Sequence, residues 1–163
     1  MLNNSSILIT GGTGSFGKTF VPLTLAKYNP KRLVIYSRDE MKQWDMSQKF
    51  ADDPRVSFIV GDIRDKDRLI RALDGINFVV HAAATKIVPT AEYNPFECIK
   101  TNIIGAMNLI DACIEMGIDT NGVTESAVAS SAMQFTIGYF ETAAEAFEAF
   151  KMRVLKIVGL DYM

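Results

Sequence analysis

A glycine-rich run near the start of the chain constrains its fold more than any other feature. An apolar stretch over residues 6–10 leads into Gly11, Gly14 and Gly17, and an amphipathic stretch follows at once. Glycine permits a sharp turn at the first position, lets backbone N–H groups approach a pyrophosphate at the second, and lets a helix pack closely on a strand at the third. This order of strand, turn and helix start predicts a dinucleotide-binding loop.

The composition narrows the class of protein. The chain has 163 residues, which suits one domain, and its formal net charge of −2 argues against a nucleic-acid partner or a membrane-surface role. No apolar run approaches the roughly 20 residues of a membrane helix, and the amino terminus lacks the basic start and apolar core of a signal peptide. Cys98 and Cys113 are expected to be buried thiols, and no metal site is predicted. We therefore expect a cytoplasmic protein.

Strand and helix patterns alternate along the first two thirds of the chain. The predicted strands are residues 6–10, 33–36, 56–60 and 78–81, and the predicted helices are residues 16–27, 39–50, 65–73 and 95–116. Near-continuous apolar strands separated by helices are typical of a parallel sheet covered on both faces. The fold class predicted is therefore α/β, a doubly wound parallel sheet of the Rossmann type.

Two helices carry more specific expectations. Pro22 lies inside the first and should kink or shorten it. The last should begin with Asn94 as its cap and Pro95 at its first position, and end at Gly117. Its apolar face is expected to consist of Phe96, Ile99, Ile103, Met107, Ile110 and Ile114.

The chain changes character after Gly117. Residues 1–117 are interpreted as the nucleotide-binding region, and residues 118–163 as an atypical tail packed on the same domain. Within that tail, alternation over residues 135–139 predicts a fifth strand, and helical spacing over residues 140–157 predicts a helix. The aromatic face of that helix could cover the sheet or serve association.

The residues expected to hold the cofactor come from the strand ends. Those of the glycine loop are Gly11, Thr13, Gly14, Ser15, Phe16 and Gly17. After the second strand, Ser37, Arg38 and Lys42 can hold a 2′-phosphate, which favours NADP over NAD. The alternative is that Arg38 pairs with a nearby carboxylate on the surface.

The third and fourth strands supply further candidates. Asp62 and Ile63 end the third, where a carboxylate can accept from the adenine amine, and Ala82, Ala83 and Ala84 leave room for the cofactor beside the fourth. His81, the single histidine, is expected to be satisfied by backbone rather than to act in catalysis.

Several motif runs at matching spacing carry a family resemblance. They are TGGTGSFG over residues 10–17, YSRDE over 36–40, GDIRD over 61–65, HAAATK over 81–86 and EYNPFECIKTN over 92–102. Over roughly residues 1–117 the chain thereby resembles the extended short-chain dehydrogenases/reductases. More narrowly, it is similar to the inverting UDP-N-acetylglucosamine 4,6-dehydratases, which open the route to pseudaminic-acid-type bacterial surface sugars.

The resemblance implies a cofactor, a substrate and two catalytic residues. NADP would take a hydride from sugar C4 and return it to C6 after water is lost, so that the net reaction on a UDP-sugar is a dehydration. Lys86 would lie near the nicotinamide and sugar, and Asn102 would support the active-site backbone and a proton-relay water. The alternatives are that Lys86 is a solvated loop charge and that Asn102 makes only a local hydrogen bond. Related enzymes assemble through helices like that at residues 95–116, so a homo-oligomer is possible.

The chain departs from this family after Gly117. The family's Ser-Thr-Asp-Lys segment and its Tyr-x-x-x-Lys pair are absent, since Tyr139 is followed four residues later by Ala143, and the sugar-binding C-terminal region is missing. We therefore expect NADP binding without complete catalysis. The chain is interpreted as a truncated or re-joined dehydratase, or alternatively as a non-catalytic dinucleotide-binding module whose tail serves association.

Overall fold

The computed structural model describes residues 2–118 of the chain. Four parallel strands form one sheet in the order β3-β2-β1-β4. The strands are β1 (Ser6–Thr10), β2 (Arg32–Ser37), β3 (Val56–Val60) and β4 (Phe78–His81). From β1 the chain winds outward to β3 and then crosses to the other side of β1, which confirms the doubly wound arrangement. The strand and helix predicted over residues 135–157 lie outside the described residues.

Within the described residues, six helices connect or follow the strands. They are α1 (Ser15–Lys27), α2 (Glu40–Ser47), α3 (Lys66–Ala72), α4 (Val88–Tyr93), α5 (Pro95–Ile99) and α6 (Gly105–Glu115), with a π-helical turn at Lys100–Ile104. The sequence pattern does not predict the short helix α4. It predicts α1 to within one residue at its amino end.

The core lies on both faces of the two central strands. Leu8, Val34 and Tyr36 pack towards α3 and α6 on one face. Ile9 and Ile35 belong to a second cluster that contains residues of α1 and α2. Successive strand residues point to opposite faces, so these fully buried apolar runs are those of a sheet covered on both sides.

Pro22 does not shorten α1, which was one of the two effects expected of it. The helix runs unbroken through it from Ser15 to Lys27. Pro22 and Lys18 are both exposed. Because proline lacks an N–H group, the Lys18 carbonyl loses its helical partner on the side that faces water, where the loss costs least.

Aspartates start two helices. Asp39 precedes α2, and its Oδ1 accepts from the Lys42 N–H at 3.0 Å. Asp65 precedes α3 and accepts from the Arg68 N–H at 2.9 Å. Each carboxylate satisfies an orphan donor of the first turn and lies at the positive end of the helix dipole.

The segment predicted as one helix over residues 95–116 is interrupted. Pro95 occupies its first position as expected, but Asn94 does not cap it through its side chain; the Asn94 Nδ2 donates to the Thr90 carbonyl at 3.0 Å instead. The π-helical turn then shifts the helix register before α6 begins. Cys98 and Cys113 are buried free thiols, as expected.

The apolar face of this segment points away from the sheet. Its exposed members are Phe96, Ile99, Ile103, Met107 and Ile114. The face that packs on the core carries smaller side chains, including Ala106, Ala112 and Cys113. Small side chains let a helix approach closely, and a Cβ at Gly105 would lie 2.6 Å from the Ile63 Cδ1.

Candidate dinucleotide-binding site

The glycine loop lies at the carboxyl ends of β1, β2 and β4. The Gly11 N–H donates to the Tyr36 carbonyl at 2.9 Å. Gly11 has a φ of +65°, and a Cβ there would lie 2.7 Å from the Ala83 Cα. A side chain at Gly17 would overlap the Gly12 carbonyl. The backbone thus needs glycine both for the turn and for the close approach of the loop to β4 and of α1 to the loop.

The amino end of α1 opens into this loop. Gly14 is the N-cap residue and has no side chain that could bond the first-turn N–H groups. Ser15 is exposed, whereas the Phe16 ring stacks on Phe20 with ring centroids 5.4 Å apart. A helix amino end without a side-chain cap is a suitable place for an anion, because its N–H groups and dipole both favour negative charge. Phe16 can contribute to such a site through its backbone.

The end of β2 carries two cations beside carboxylates. The Arg38 Nη1 lies 3.7 Å from the Asp62 Oδ2, and the Lys42 Nζ lies 2.8 Å from the Asp39 Oδ2. Arg38 therefore does pair with a nearby carboxylate, as the alternative interpretation expected. That carboxylate is itself a predicted cofactor residue, and the exposed Arg38 side chain keeps the remaining donors of its guanidinium group at the rim of the site.

Asp39 is the acidic residue nearest the end of β2. Its carboxylate bonds the backbone N–H and the ammonium of Lys42, and this hydrogen bonding lowers the pKa of the Asp39 carboxyl. In an NAD site an acidic side chain at this strand end accepts from the ribose 2′-hydroxyl. Here the acid is engaged as the cap of α2.

Asp62 is held in place from several directions. Burial raises the pKa of its carboxyl, but the Arg64 hydrogen bonds and the charges of Arg64 and Arg38 outweigh that effect and leave the pKa below its usual range. The Arg64 Nη2 donates to Asp62 Oδ2 at 2.7 Å, and the Tyr36 hydroxyl donates to the Asp62 carbonyl at 2.9 Å. The Ile63 side chain is buried in the core, so its backbone is the part that borders the strand end.

The sequence does not predict two residues that hold the strand ends, Gln43 and Arg64. Gln43 is a buried residue of α2 whose amide bonds the ends of β2 and β3. The signal for it is weak: a polar residue three positions before Met46, on the buried face of a short helix. Arg64 carries no signal beyond its place two residues after Asp62.

The end of β4 is joined to β1 through side chains. The Thr10 Oγ1 lies 2.6 Å from the His81 Nδ1 and also accepts from the Ala82 N–H at 3.2 Å and the Ala83 N–H at 3.4 Å. Thr10 thereby joins the His81 ring to the backbone of the next two residues. The partner of His81 is thus a side chain and not the expected backbone group. Burial lowers the pKa of His81 to about 4, so the ring is neutral near pH 7.

Asn102 holds the loop that carries Lys86. It lies in the π-helical turn and is 2% exposed. Its Oδ1 accepts from the Thr85 N–H, and its Nδ2 donates to the Thr85 carbonyl, both at 2.8 Å. This pair of bonds spans 17 residues, so the alternative of a purely local role is wrong. Lys86 follows Thr85 directly and has an exposed side chain.

Residues 2–118 hold no cluster of three side chains able to bind a metal ion. No helix among them is long and apolar enough to cross a membrane.

Sheet order, glycine loop and strand-end residues define a Rossmann-type domain of the short-chain dehydrogenase/reductase class. The sequence pattern of the polysaccharide biosynthesis protein family matches residues 7–134. The chain belongs to this family. The match runs 17 residues past Gly117, into residues that the structure does not describe.

Comparison with individual proteins agrees with this family assignment. The chain is 57% identical over 118 residues to the inverting UDP-N-acetylglucosamine 4,6-dehydratase of Campylobacter jejuni, a stretch that covers 72% of this chain and 35% of that protein. Pen from Bacillus thuringiensis superposes with a TM-score of 0.70 at 38% identity, over 72% of this chain and 37% of Pen. A dTDP-glucose 4,6-dehydratase of Streptomyces venezuelae, solved with NAD bound, superposes with a TM-score of 0.61 at 27% identity. The superposition covers 69% of this chain and 37% of that protein. The chain thus spans about a third of the length of the curated relatives it matches.

Proposed function

We propose that this chain binds NADP(H) at the carboxyl ends of its strands and descends from UDP-N-acetylglucosamine 4,6-dehydratases. The observation that carries the cofactor choice is the engagement of Asp39. Its carboxylate caps α2 and pairs with Lys42, which leaves Ser37 and Arg38 as the side chains beside the expected ribose. The Streptomyces dehydratase was solved with NAD, so the distinction between the two cofactors depends on these few side chains.

The described residues fit a dinucleotide. The approach of Gly11 to Ala83 leaves no room for a Cβ, and the amino end of α1 has no side-chain cap. Gly11, Gly14 and the first-turn residues would hold the pyrophosphate. The 2′-phosphate would be held by Ser37, Arg38 and Lys42. The adenine would lie at Asp62 and Ile63, and the cofactor would run along β4 beside Ala82, Ala83 and Ala84.

In this reaction class the bound cofactor accepts a hydride and later returns it. The contribution of this chain is positional. Because Asn102 bonds both backbone groups of Thr85, it fixes the starting point of the Lys86 side chain. We assign Lys86 as the cation beside the nicotinamide and the UDP-sugar, and Asn102 as the residue that supports this backbone. A pseudaminic-acid-type pathway and a cytoplasmic location belong to the same proposal.

We further propose that these 163 residues bind the cofactor without completing the dehydration. None of the five tyrosines is followed four residues later by lysine. Such a lysine lowers the tyrosine pKa so that the phenol oxygen can accept a substrate proton. The purified chain with NADP and UDP-N-acetylglucosamine should therefore yield no 4-keto-6-deoxy sugar by mass spectrometry. Detectable product would overturn this part of the proposal.

The cofactor proposal is tested by calorimetry. The chain should bind NADP(H) more tightly than NAD(H), and Arg38→Ala should remove that preference. A charge-assisted bond to phosphate contributes about 1.5–3 kcal/mol, so we expect roughly a 10- to 100-fold loss for NADP and little change for NAD. Arg71→Ala, which removes an exposed arginine from the last turn of α3, is the matched control. Equal affinities of the unchanged chain for the two cofactors would remove the role given to Arg38.

A second candidate function is self-association through α5 and α6, a different surface from the tail to which the alternative of a binding module assigns association. The exposed apolar row of α5 and α6 favours it: Phe96 is 75% exposed and Met107 is 56% exposed. Contiguous apolar surface of this kind marks interfaces. Sedimentation equilibrium should give a dimer or larger species that Phe96→Ser with Met107→Ser converts to monomer. A monomeric unchanged chain at assay concentrations would argue against it.

A further inference from the structure

The side-chain amide of Gln43 joins the carboxyl ends of β2 and β3. Its Nε2 donates to the Ser37 carbonyl at 2.8 Å and to the Ile59 carbonyl at 2.9 Å. The third contact, to the Ser37 Oγ, is 3.2 Å. Gln43 is only 5% exposed. Two carbonyl acceptors fix the orientation of the amide, because a flip would place Oε1 against both oxygens.

The Ser37 hydroxyl is also joined to the glycine loop. The Thr13 Oγ1 lies 3.2 Å from the Ser37 Oγ, and both residues are buried. Gln43, Ser37 and Thr13 therefore form a chain of contacts that runs from α2, through the end of β2, to the loop. A buried chain of this kind fixes the position of each member better than one contact would.

The hydroxyl groups of Thr13 and Ser37 carry one proton more than the hydrogen bond between them requires. Thr13 and Ser37 carry two hydroxyl protons between them, and the contact that joins them takes one. Gln43 approaches Ser37 as a donor, so it accepts neither. Among residues 2–118, no further acceptor contacts either hydroxyl group. Whichever hydroxyl donates within the pair, the other has a proton available for a ligand acceptor.

The charges nearby favour a phosphate as that acceptor. Arg38 follows Ser37 directly, and Lys42 precedes Gln43. Both cations are more than 60% exposed. Each cation lies beside a carboxylate, Arg38 beside Asp62 and Lys42 beside Asp39, and a dianionic group that draws them away would gain more from them than a ribose hydroxyl would.

We propose that Gln43 is a positioning residue for recognition of the cofactor 2′-phosphate, acting through the Ser37 hydroxyl and its Thr13 partner. This inference rests on the proposed NADP binding and deepens it. Gln43 itself does not touch the cofactor. It sets where the Ser37 donor and the start of the Arg38 side chain lie, and so contributes to the choice between NADP and NAD.

The test is the ratio of the two affinities in the full chain. Gln43→Met keeps length and helix propensity but removes the amide. It should raise the Kd for NADP roughly tenfold, the cost of a misplaced charge-assisted hydrogen bond, and leave the Kd for NAD within about twofold. Ser37→Ala should act alike, and the double variant should lose less than the sum of the two single losses, since both act through the Ser37 hydroxyl. Gln48→Met, an exposed glutamine next to α2, is the control and should change neither Kd.

A purely structural role predicts a different pattern. If Gln43→Met weakens NADP and NAD equally, or if the two single losses add fully, the inference is overturned. If Gln43→Met melts below the assay temperature, Gln43→Asn keeps an amide that is too short to reach both strands and should show the same selective loss. An unchanged chain without NADP preference would overturn the proposed cofactor and this inference together. A preference that survives both Gln43 variants would overturn the inference alone.

Discussion

Two halves of the candidate site are built differently. The adenosine half comprises the glycine loop and the ends of β2 and β3, where hydrogen bonds of Gln43, Thr13 and Tyr36 join neighbouring elements. The reaction half comprises the end of β4 and the loop to Lys86. There Asn102 bonds both backbone groups of Thr85. Within residues 2–118, side chains from three elements thus hold the proposed nucleotide-binding end, whereas the loop to Lys86 is held through Asn102.

The largest expected effect tests how tightly the two halves are joined. Gly11→Ala places a Cβ against the Ala83 backbone at a φ of +65°. It should cost about 3–5 kcal/mol of unfolding free energy and abolish dinucleotide binding. Gly75→Ala is the matched control, because Gly75 has a φ of +67° with open space around its Cα. It should cost about 1–2 kcal/mol and leave binding intact. Urea unfolding and calorimetry measure both, and equal losses would show that close approach is not the cause.

The next effect addresses the reaction half. Asn102→Leu keeps the volume but leaves the Thr85 N–H and carbonyl without partners. The unfolding free energy should fall by about 2–3 kcal/mol, and amide exchange of Thr85 should accelerate. NADP affinity should change less than in Gly11→Ala. Asn94→Leu, on an exposed asparagine, should stay within about 0.5 kcal/mol. A slow Thr85 amide in Asn102→Leu would mean that something else holds this loop.

The smallest expected effect is a pH dependence of the unfolding free energy, caused by His81 at the junction of β1 and β4. Burial lowers the pKa of His81 to about 4, whereas an unfolded histidine titrates near 6.5. The unfolded chain therefore takes up a proton between these values and the folded chain resists it, so stability is fully present above about 6.5 and falls as pH drops towards 4. At pH 5, the lower end of the measured range, the loss should be on the order of 2 kcal/mol.

His81→Asn isolates this contribution, because the chain has one histidine. The asparagine oxygen can still accept from Thr10, but it does not titrate. Urea unfolding between pH 5 and 6.5 should show a flatter pH slope for the variant than for the unchanged chain. Parallel slopes would mean that His81 takes up its proton equally in the folded and unfolded states.

Backbone organisation was largely predictable from the sequence. Apolar strands, turn residues and the glycine loop are local patterns, and they placed the four strands of residues 2–118 correctly. The interruption of the last helix could not be predicted, because no residue in KTNII over residues 100–104 breaks a helix. The π-helical turn accompanies the contact of Asn102 with Thr85, which lies 17 residues earlier in the chain.

Helix orientation was harder to predict. The apolar row over Phe96, Ile103 and Met107 has the spacing of a core-facing stripe, yet it is exposed. The sheet instead receives small residues such as Ala106 and Ala112, which allow close packing but add little to an amphipathic pattern. The polar side chains that hold the strand ends were even harder to predict. Gln43 and Arg64 act through contacts between elements, and spacing within one element carries little information about these.

The sharing of Asp62 has a consequence for how a ligand would arrive. Arg38 lies beside this carboxylate, but Arg64 bonds it through its backbone N–H, Nε and Nη2. A phosphate that draws Arg38 away would therefore leave no buried anion unpaired. Ligand entry becomes an exchange of one partner of Arg38 for another, without reorganisation of the strand end beneath it. A site of this kind would keep the same fold with and without a ligand, because the Asp62 carboxylate stays paired in both states.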